Sequence, residues 1–165
     1  IISDYRRSTS NPIARHKTAN FLTGILARQE ASRKDDNQDA LFLNTDGDVC
    51  EGTVWNIFMV EGARVVTPSI TANILPGITR KAVLNVCTEK GVATSEELFP
   101  ADRLLEADEV FITSSLMEIM PVATIANHQI GTKIPGKITR RLMRAYTELT
   151  KAVPEEEGEE GGCGQ

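Results

Sequence analysis

Lys17, Glu51, the run Leu75–Arg80 and the run Thr113–Ser115 are the positions whose residue types could do chemistry. Lys17, in "NPIARHKTANFL", offers a primary amine at the start of a predicted helix. Read alone it is a solvated helix-terminal lysine, as most lysines are. Glu51 lies in the apolar run "VCEGTVWNIF". Buried there, it needs a cationic partner; at a sheet edge beside Gly52, it needs none. "LPGITR", Leu75–Arg80, puts a rigid turn of small residues ahead of a helix. Such an entry can aim free N–H groups and the Thr79 hydroxyl at an anion, or simply turn the chain. In "FITSSLMEI", Thr113, Ser114 and Ser115 end an apolar strand, where hydroxyls donate to ligands or cap the next turn.

An amine, a buried carboxylate, an anion cradle and a hydroxyl-rich loop together are what pyridoxal 5′-phosphate requires. The amine forms a Schiff base, the carboxylate keeps the pyridine nitrogen protonated, and the cradle holds the phosphate.

The elements that must position these groups follow from periodicity. Phe21, Leu22, Ile25 and Leu26 recur at helical spacing in "TANFLTGILARQEASRK", which predicts a helix with these residues on its apolar face. Leu41–Leu43, Val49–Glu51, Trp55–Val60 and Val65–Thr67 are short apolar runs separated by turn residues, which predicts an antiparallel meander. A helix over Thr79–Lys90 ends at Gly91. A short helix in "LFPADRLLEAD", a strand in "EVFITSS" and a strand pair turning at Asn127-His128 follow. The last helix, in "GKITRRLMRAYTELTKAV", aligns Ile138, Leu142, Tyr146 and Leu149. Beyond Pro154 the Glu/Gly tail has no apolar period and is expected to be disordered. This order predicts an α+β domain.

The 165 residues, 41% hydrophobic and 25% charged, suit one globular domain with a substantial core. No apolar run is long enough to span a membrane, and no signal-peptide pattern opens the chain. Cys50, Cys87 and Cys163 lack metal-like spacing and fit a reducing, cytoplasmic setting. Much of the net charge of −5 sits in the tail, leaving a near-neutral remainder in which no basic face for nucleic acid is expected. The start, "IISDYRRSTS", lacks a methionine and reads as the end of a strand cut from a longer chain.

The stretches "HKTANFLTGILARQEA", "DALFLNTDGDVCEGTVWNIF", "LPGITR" and "DEVFITSSLMEIMPV", in that order and spacing, resemble the class IV (fold type IV) pyridoxal-phosphate enzymes. That family includes branched-chain and D-amino acid aminotransferases and aminodeoxychorismate lyases. The likeness runs from about Arg7 to Tyr146, and "EGT..NIF" followed by "LPGITR" is its most specific part.

The resemblance implies the large C-terminal domain of such an enzyme, a mixed, mostly antiparallel pseudo-barrel sheet with flanking helices. Residues 1–16 would end an interdomain linker, 17–153 would hold the cofactor, and 154–165 would form the tail. It implies Lys17 as the Schiff-base lysine and proton carrier, and Glu51 as the partner of the pyridine nitrogen. Leu75 would pack on the cofactor ring, with Gly77, Ile78 and Thr79 at the phosphate. Ser114 and Ser115 would donate to phosphate and substrate, with Leu116 and Met117 beside the substrate. It further implies a homodimer acting on an amino acid and a 2-oxo acid of branched-chain or related type, with a lyase or a truncated non-catalytic copy as alternatives. Two positions depart from the pattern: Phe21 replaces a tyrosine usual in branched-chain enzymes, and Trp55 replaces a small residue. The family's small N-terminal domain, which bears a phosphate-binding arginine, has no counterpart here, and Phe21 and Trp55 would then face outward.

Overall fold

The computed structural model describes residues 1–33 and 38–151. The chain begins with β1 (Ile2–Arg7), a 3-10 turn at Pro12–Arg15 and α1 (Leu22–Ser32). Strands β2 (Leu41–Asn44), β3 (Val49–Gly52), β4 (Asn56–Glu61) and β5 (Arg64–Pro68) precede α2 (Ile78–Glu89). Then come β6 (Ala93–Glu97), α3 (Ala101–Leu105), β7 (Glu109–Ser114), β8 (Glu118–Pro121), β9 (Thr124–Ile125), β10 (His128–Gln129) and α4 (Lys137–Lys151).

Strand β4 is apolar along most of its length, and period two decides what each residue meets. Phe58 and Val60 join Val65, Phe111 and Ile119 on one face, against Val83, Val86 and Cys87 of α2 and Leu142 and Ala145 of α4. Ile57 and Met59 face the opposite way with Val66, Val110 and Ile112, toward Leu41, Leu43 and Val49. A strand covered on both faces needs no polar alternation, hence the run "NIFMVE". Phe58 and Phe111 stack across the β4–β7 ladder with ring centroids 4.9 Å apart.

The five-stranded sheet has the order β6-β5-β4-β7-β8, and a smaller one has the order β1-β2-β3. The expected meander is therefore divided: β2–β3 and β4–β5 are antiparallel pairs, but they belong to different sheets. Two pairings are parallel, β1 with β2 and β5 with β6. Ala93–Glu97 carries no apolar run, since as an edge strand it is largely exposed, and the sequence reading passes over it. The strand pair β9–β10 turns at Ala126-Asn127, one residue earlier than expected, with φ of 48° and 66°. Gly91 ends α2 in the left-handed conformation, φ 65°, as expected.

The first helix forms close to where its period predicts, yet its apolar stripe is not its buried side. Phe21, Leu22, Ile25 and Leu26 are exposed, and α1 instead buries Ala27 and Ala31. In α4 the buried residues are Thr139, Leu142 and Ala145, while Leu149 lies outside the core. The tail expected to be disordered lies outside the described residues.

Leu142 anchors α4 to the sheet and is fully buried. Leu142→Ala should lower unfolding free energy by about 2–5 kcal/mol, read from urea denaturation. Lys81→Ala, at an exposed position, should stay within about 0.5 kcal/mol of the parent. Equal midpoints for all three proteins would contradict the docking of α4.

Candidate active site

Three separate parts of the chain converge on Glu51. Its carboxylate, buried on β3, faces Arg7 of β1, with Arg7 Nη2 3.2 Å from Oε1. Oε2 accepts hydrogen bonds from the Leu75 backbone N–H at 3.0 Å and from Asn56 Nδ2 at 3.3 Å. The same Asn56 amide donates to the Leu75 carbonyl at 2.9 Å. Arg7 is steadied by the Phe42 ring, 4.9 Å below its guanidinium carbon. Burial nevertheless dominates and pushes the Glu51 pKa up to about 7, with Arg7 and the Leu75 N–H pulling the other way.

Glu51 lines a cavity of about 350 Å³ shared with Arg7, His16, Lys17, Phe21 and Leu75. Lys17 sits between the 3-10 turn and α1, five residues ahead of Leu22, and not on the helix itself. Its side chain is exposed, with Nζ 5.9 Å from the centroid of the Phe21 ring. Trp55 lines the same cavity yet is buried, contrary to expectation. Its indole N–H donates to the Asp39 carboxylate at 2.9 Å, and its ring occupies the space where a Cβ on Gly52 would stand. Gly52 is therefore obligatory beside this tryptophan. Phe21 is exposed, as expected.

Helix α2 opens without a side-chain cap. Its first intrahelical bond runs from the Lys81 N–H to the Gly77 carbonyl, 3.0 Å, which leaves the N–H groups of Ile78, Thr79 and Arg80 at the helix end. Gly77 meets Asn56 Oδ1 so closely that no Cβ fits. The Ile78 side chain is exposed and Thr79 is buried. Arg80 turns away from the cradle to bond the Glu96 carboxylate at 2.6 Å and the Pro68 carbonyl at 2.8 Å.

The cavity gathers Lys17, Glu51 and Leu75; Gly77, Ile78, Thr79, Ser114, Ser115, Leu116 and Met117 lie outside its lining. Ser114 Oγ accepts from the Met117 N–H at 3.1 Å and so closes its own turn. Ser115 and Leu116 are exposed, and Met117 packs on the core. Thr113 is the hydroxyl that stands ready: Oγ1 is buried without a hydrogen-bond partner among the described residues. It lies opposite Asn56 in the β4–β7 register. Arg7 and Asn56 are the functional candidates that the sequence reading did not single out; Thr113 it named together with Ser114 and Ser115. Arg7 was foreshadowed only by the rule that a buried Glu51 needs a cation.

The amino-transferase class IV family model matches residues 1–125. Branched-chain-amino-acid aminotransferase of Escherichia coli strain K12 is 32% identical over 151 residues, 90% of this chain and 48% of that protein. D-alanine aminotransferase of Bacillus licheniformis is 37% identical over 129 residues, 78% of this chain and 45% of that protein. Among solved structures, the branched-chain enzyme of Thermobaculum terrenum in its PLP form superposes with TM-score 0.83 at 35% identity, over 90% of this chain and 49% of that one. A structure described as a 4-amino-4-deoxychorismate lyase, from Legionella pneumophila, superposes with TM-score 0.85 at 31% identity, over 89% and 54%. The chain spans about half the length of the curated relatives it matches.

A carboxyl whose folded pKa rises from 4.5 to about 7 binds more protons folded than unfolded between those values. Its contribution to stability therefore falls as pH rises through that window. Carboxyl-carbon NMR on the cofactor-free chain should show Glu51 titrating near 7. Arg7→Gln should move that midpoint upward by at least about one unit. A midpoint that stays in place would break the link between the two residues.

Proposed function

The chain belongs to the amino-transferase class IV family, and from that premise we propose that it forms the cofactor-holding half of a pyridoxal-phosphate-dependent aminotransferase. Its substrates in this reading are an amino acid and a 2-oxo acid, of branched-chain or related type. The observation that carries the proposal is one cavity faced by the Lys17 amine, the buried Glu51 carboxylate and Leu75.

The residues present fit the cofactor on their own chemistry. An uncapped helix end suits a phosphate, an unpartnered Thr113 hydroxyl can donate, and a buried carboxylate suits a protonated pyridine nitrogen. When bound, pyridoxal phosphate would supply an aldehyde that condenses with amines and a ring that accepts an electron pair. Lys17, exposed and on a loop, would supply the amine that holds the cofactor and the base that moves a proton at the substrate's α-carbon. Arg7, Asn56 and the Leu75 N–H hold Glu51 in one orientation. A ligand cation brought to Glu51 would lower its pKa again. The N–H groups of Ile78 and Thr79 would orient the phosphate, and Gly77 lets the start of α2 pack against Asn56.

A lyase of the same family would use the same residues. Phe21 favours keeping that reading, because it offers no hydroxyl near Lys17. Two further parts of the proposal rest on lighter support. Exposed Phe21, Leu22, Ile25 and Leu26 suit a homodimer or interdomain contact. The free, buried Cys50 and Cys87 suit the cytoplasm.

Borohydride treatment of the cofactor-loaded chain, followed by peptide mapping, should fix the label on the Lys17 peptide. A label on Lys81 or Lys90 would overturn the assignment. Transamination and elimination assays on the chain joined to a complete N-terminal domain should then show amino-group transfer. Product formation by elimination alone would select the lyase.

Glu51→Gln should retain the cofactor, followed by its absorbance, while slowing amino-group transfer by at least about tenfold. Turnover at the parent rate would remove Glu51 from the mechanism.

A further inference from the structure

The polar side of α4 forms a groove of about 680 Å³ on the α2–α4 side of the sheet. Lys90, Lys133, Lys137, Arg140, Arg141 and Arg144 line it, against the single carboxylate of Glu148. None of the six cations makes an ion pair among the described residues. Two are held in place by backbone carbonyls instead: Arg141 Nη2 donates to Lys90 at 2.6 Å and Arg140 Nη2 to Pro135 at 3.1 Å. The sequence reading, which expected no basic face for nucleic acid, did not foresee this local cluster of cations. Net charge summed over a chain cannot show that cations have been sorted to one side.

The helix end itself is not the attraction. The N–H groups of Ile138 and Thr139 already donate to the Glu109 carboxylate, at 3.0 and 2.7 Å. The attraction comes from side-chain cations alone.

We propose that the acidic segment Glu155–Glu160 of this same chain docks in the groove. Residues 152–165 lie outside the described structure, so only their sequence enters the argument. Glu155, Glu156, Glu157, Glu159 and Glu160 are five of the chain's 23 acidic residues. The 18 that remain equal the 18 Lys and Arg, so these five account for the entire net charge of −5. The groove carries six cations and one anion. The two charges match in size and oppose in sign.

Reach is sufficient. Glu155 to Glu160 lie four to nine residues past Lys151, about 13–30 Å of extended chain. Arg144 and Lys137 lie seven and fourteen residues back along α4, about 10 and 21 Å at helical rise. Pro154 cannot continue a helix, which helps the chain turn back. Tethering holds the acidic segment near the groove at an effective concentration of roughly millimolar. Each exposed pair is worth little by itself; five at once, on prepositioned guanidinium groups, sum to a screened but specific contact.

Cys50 and Cys87 are buried, so a thiol-reactive nitroxide goes to Cys163 in the full chain. At low salt, paramagnetic broadening should remove most of the amide intensity of residues 137–148, and about 0.5 M NaCl should restore it, as screening requires. Substituting Glu155, Glu156 and Glu157 by Gln, which alters no described residue, should abolish the broadening, as should Arg140→Glu with Arg144→Glu. A chain ending at Val153 should bind tripolyphosphate at least about tenfold more tightly than the full chain, because the competing carboxylates are gone. Broadening spread evenly over the surface, or equal tripolyphosphate affinity in both chains, would overturn the proposal. Broadening seen only between a labelled and an isotope-labelled copy would also overturn it, by making a second copy the source of the segment.

Discussion

In the proposed role the carboxylate of Glu51 would have to be charged, and in the fold it is buried, and those demands conflict. Removing a carboxylate from water costs several kcal/mol unless partners replace the lost hydration. The replacements here come from three directions: Arg7 on β1, the Leu75 N–H before α2, and Asn56 on β4. Each is fixed by a different element, so the small sheet, the large sheet and the entry to α2 are held in register by one group. A pKa pushed up to about 7 shows that the compensation is incomplete. That residual imbalance suits a site that works by receiving a cation, since the arriving charge completes it.

The same Asn56 explains why the two ends of the candidate site lie together. Its amide nitrogen serves Glu51 and the Leu75 carbonyl, and its amide oxygen sits against Gly77. A Cβ at position 77 would meet that oxygen, so either the Asn56 side chain or the start of α2 would have to shift. Opposite Asn56 in register is Thr113, whose hydroxyl is one of the buried polar atoms without a hydrogen-bond partner among the described residues. The stiff centre of the sheet thus supplies the fixed parts of the site.

Much of this was legible in the sequence, for physical reasons that also mark where legibility stops. Runs such as "NIFMV" and "VFITS" identify β4 and β7 because both faces are covered. Gly91 marks the end of α2 because the turn needs positive φ. Strand β6 was silent, being an exposed edge whose pairing is made by backbone alone. The stripe on α1 misled, because helical periodicity reports an apolar face without saying what covers it; here it lies open while Ala27 and Ala31 face the protein. At the site, Glu51 and Leu75 were placed by motif, and Lys17 reached the cavity from a loop instead of a helix. Arg7 was invisible because its partner is 44 residues away and only the β1–β2–β3 pairing brings them together.

Lys17 belongs to a different mechanical class from Glu51. The segment from Ser8 to Phe21 has no sheet pairing, and the residues of its 3-10 turn are all outside the core. It is tied down chiefly by Asn73, whose side-chain amide donates to the carbonyls of both Ser8 and Asn11, each at 2.6 Å. Asn73 is itself buried in the left-handed conformation, φ 63°, which asparagine tolerates better than most residues. The amine is therefore carried on a tethered loop, and the carboxylate is embedded in the sheet. In the proposed function, an amine that would condense, release and carry protons gains from the first arrangement, and a carboxylate that would hold charge at a fixed point gains from the second.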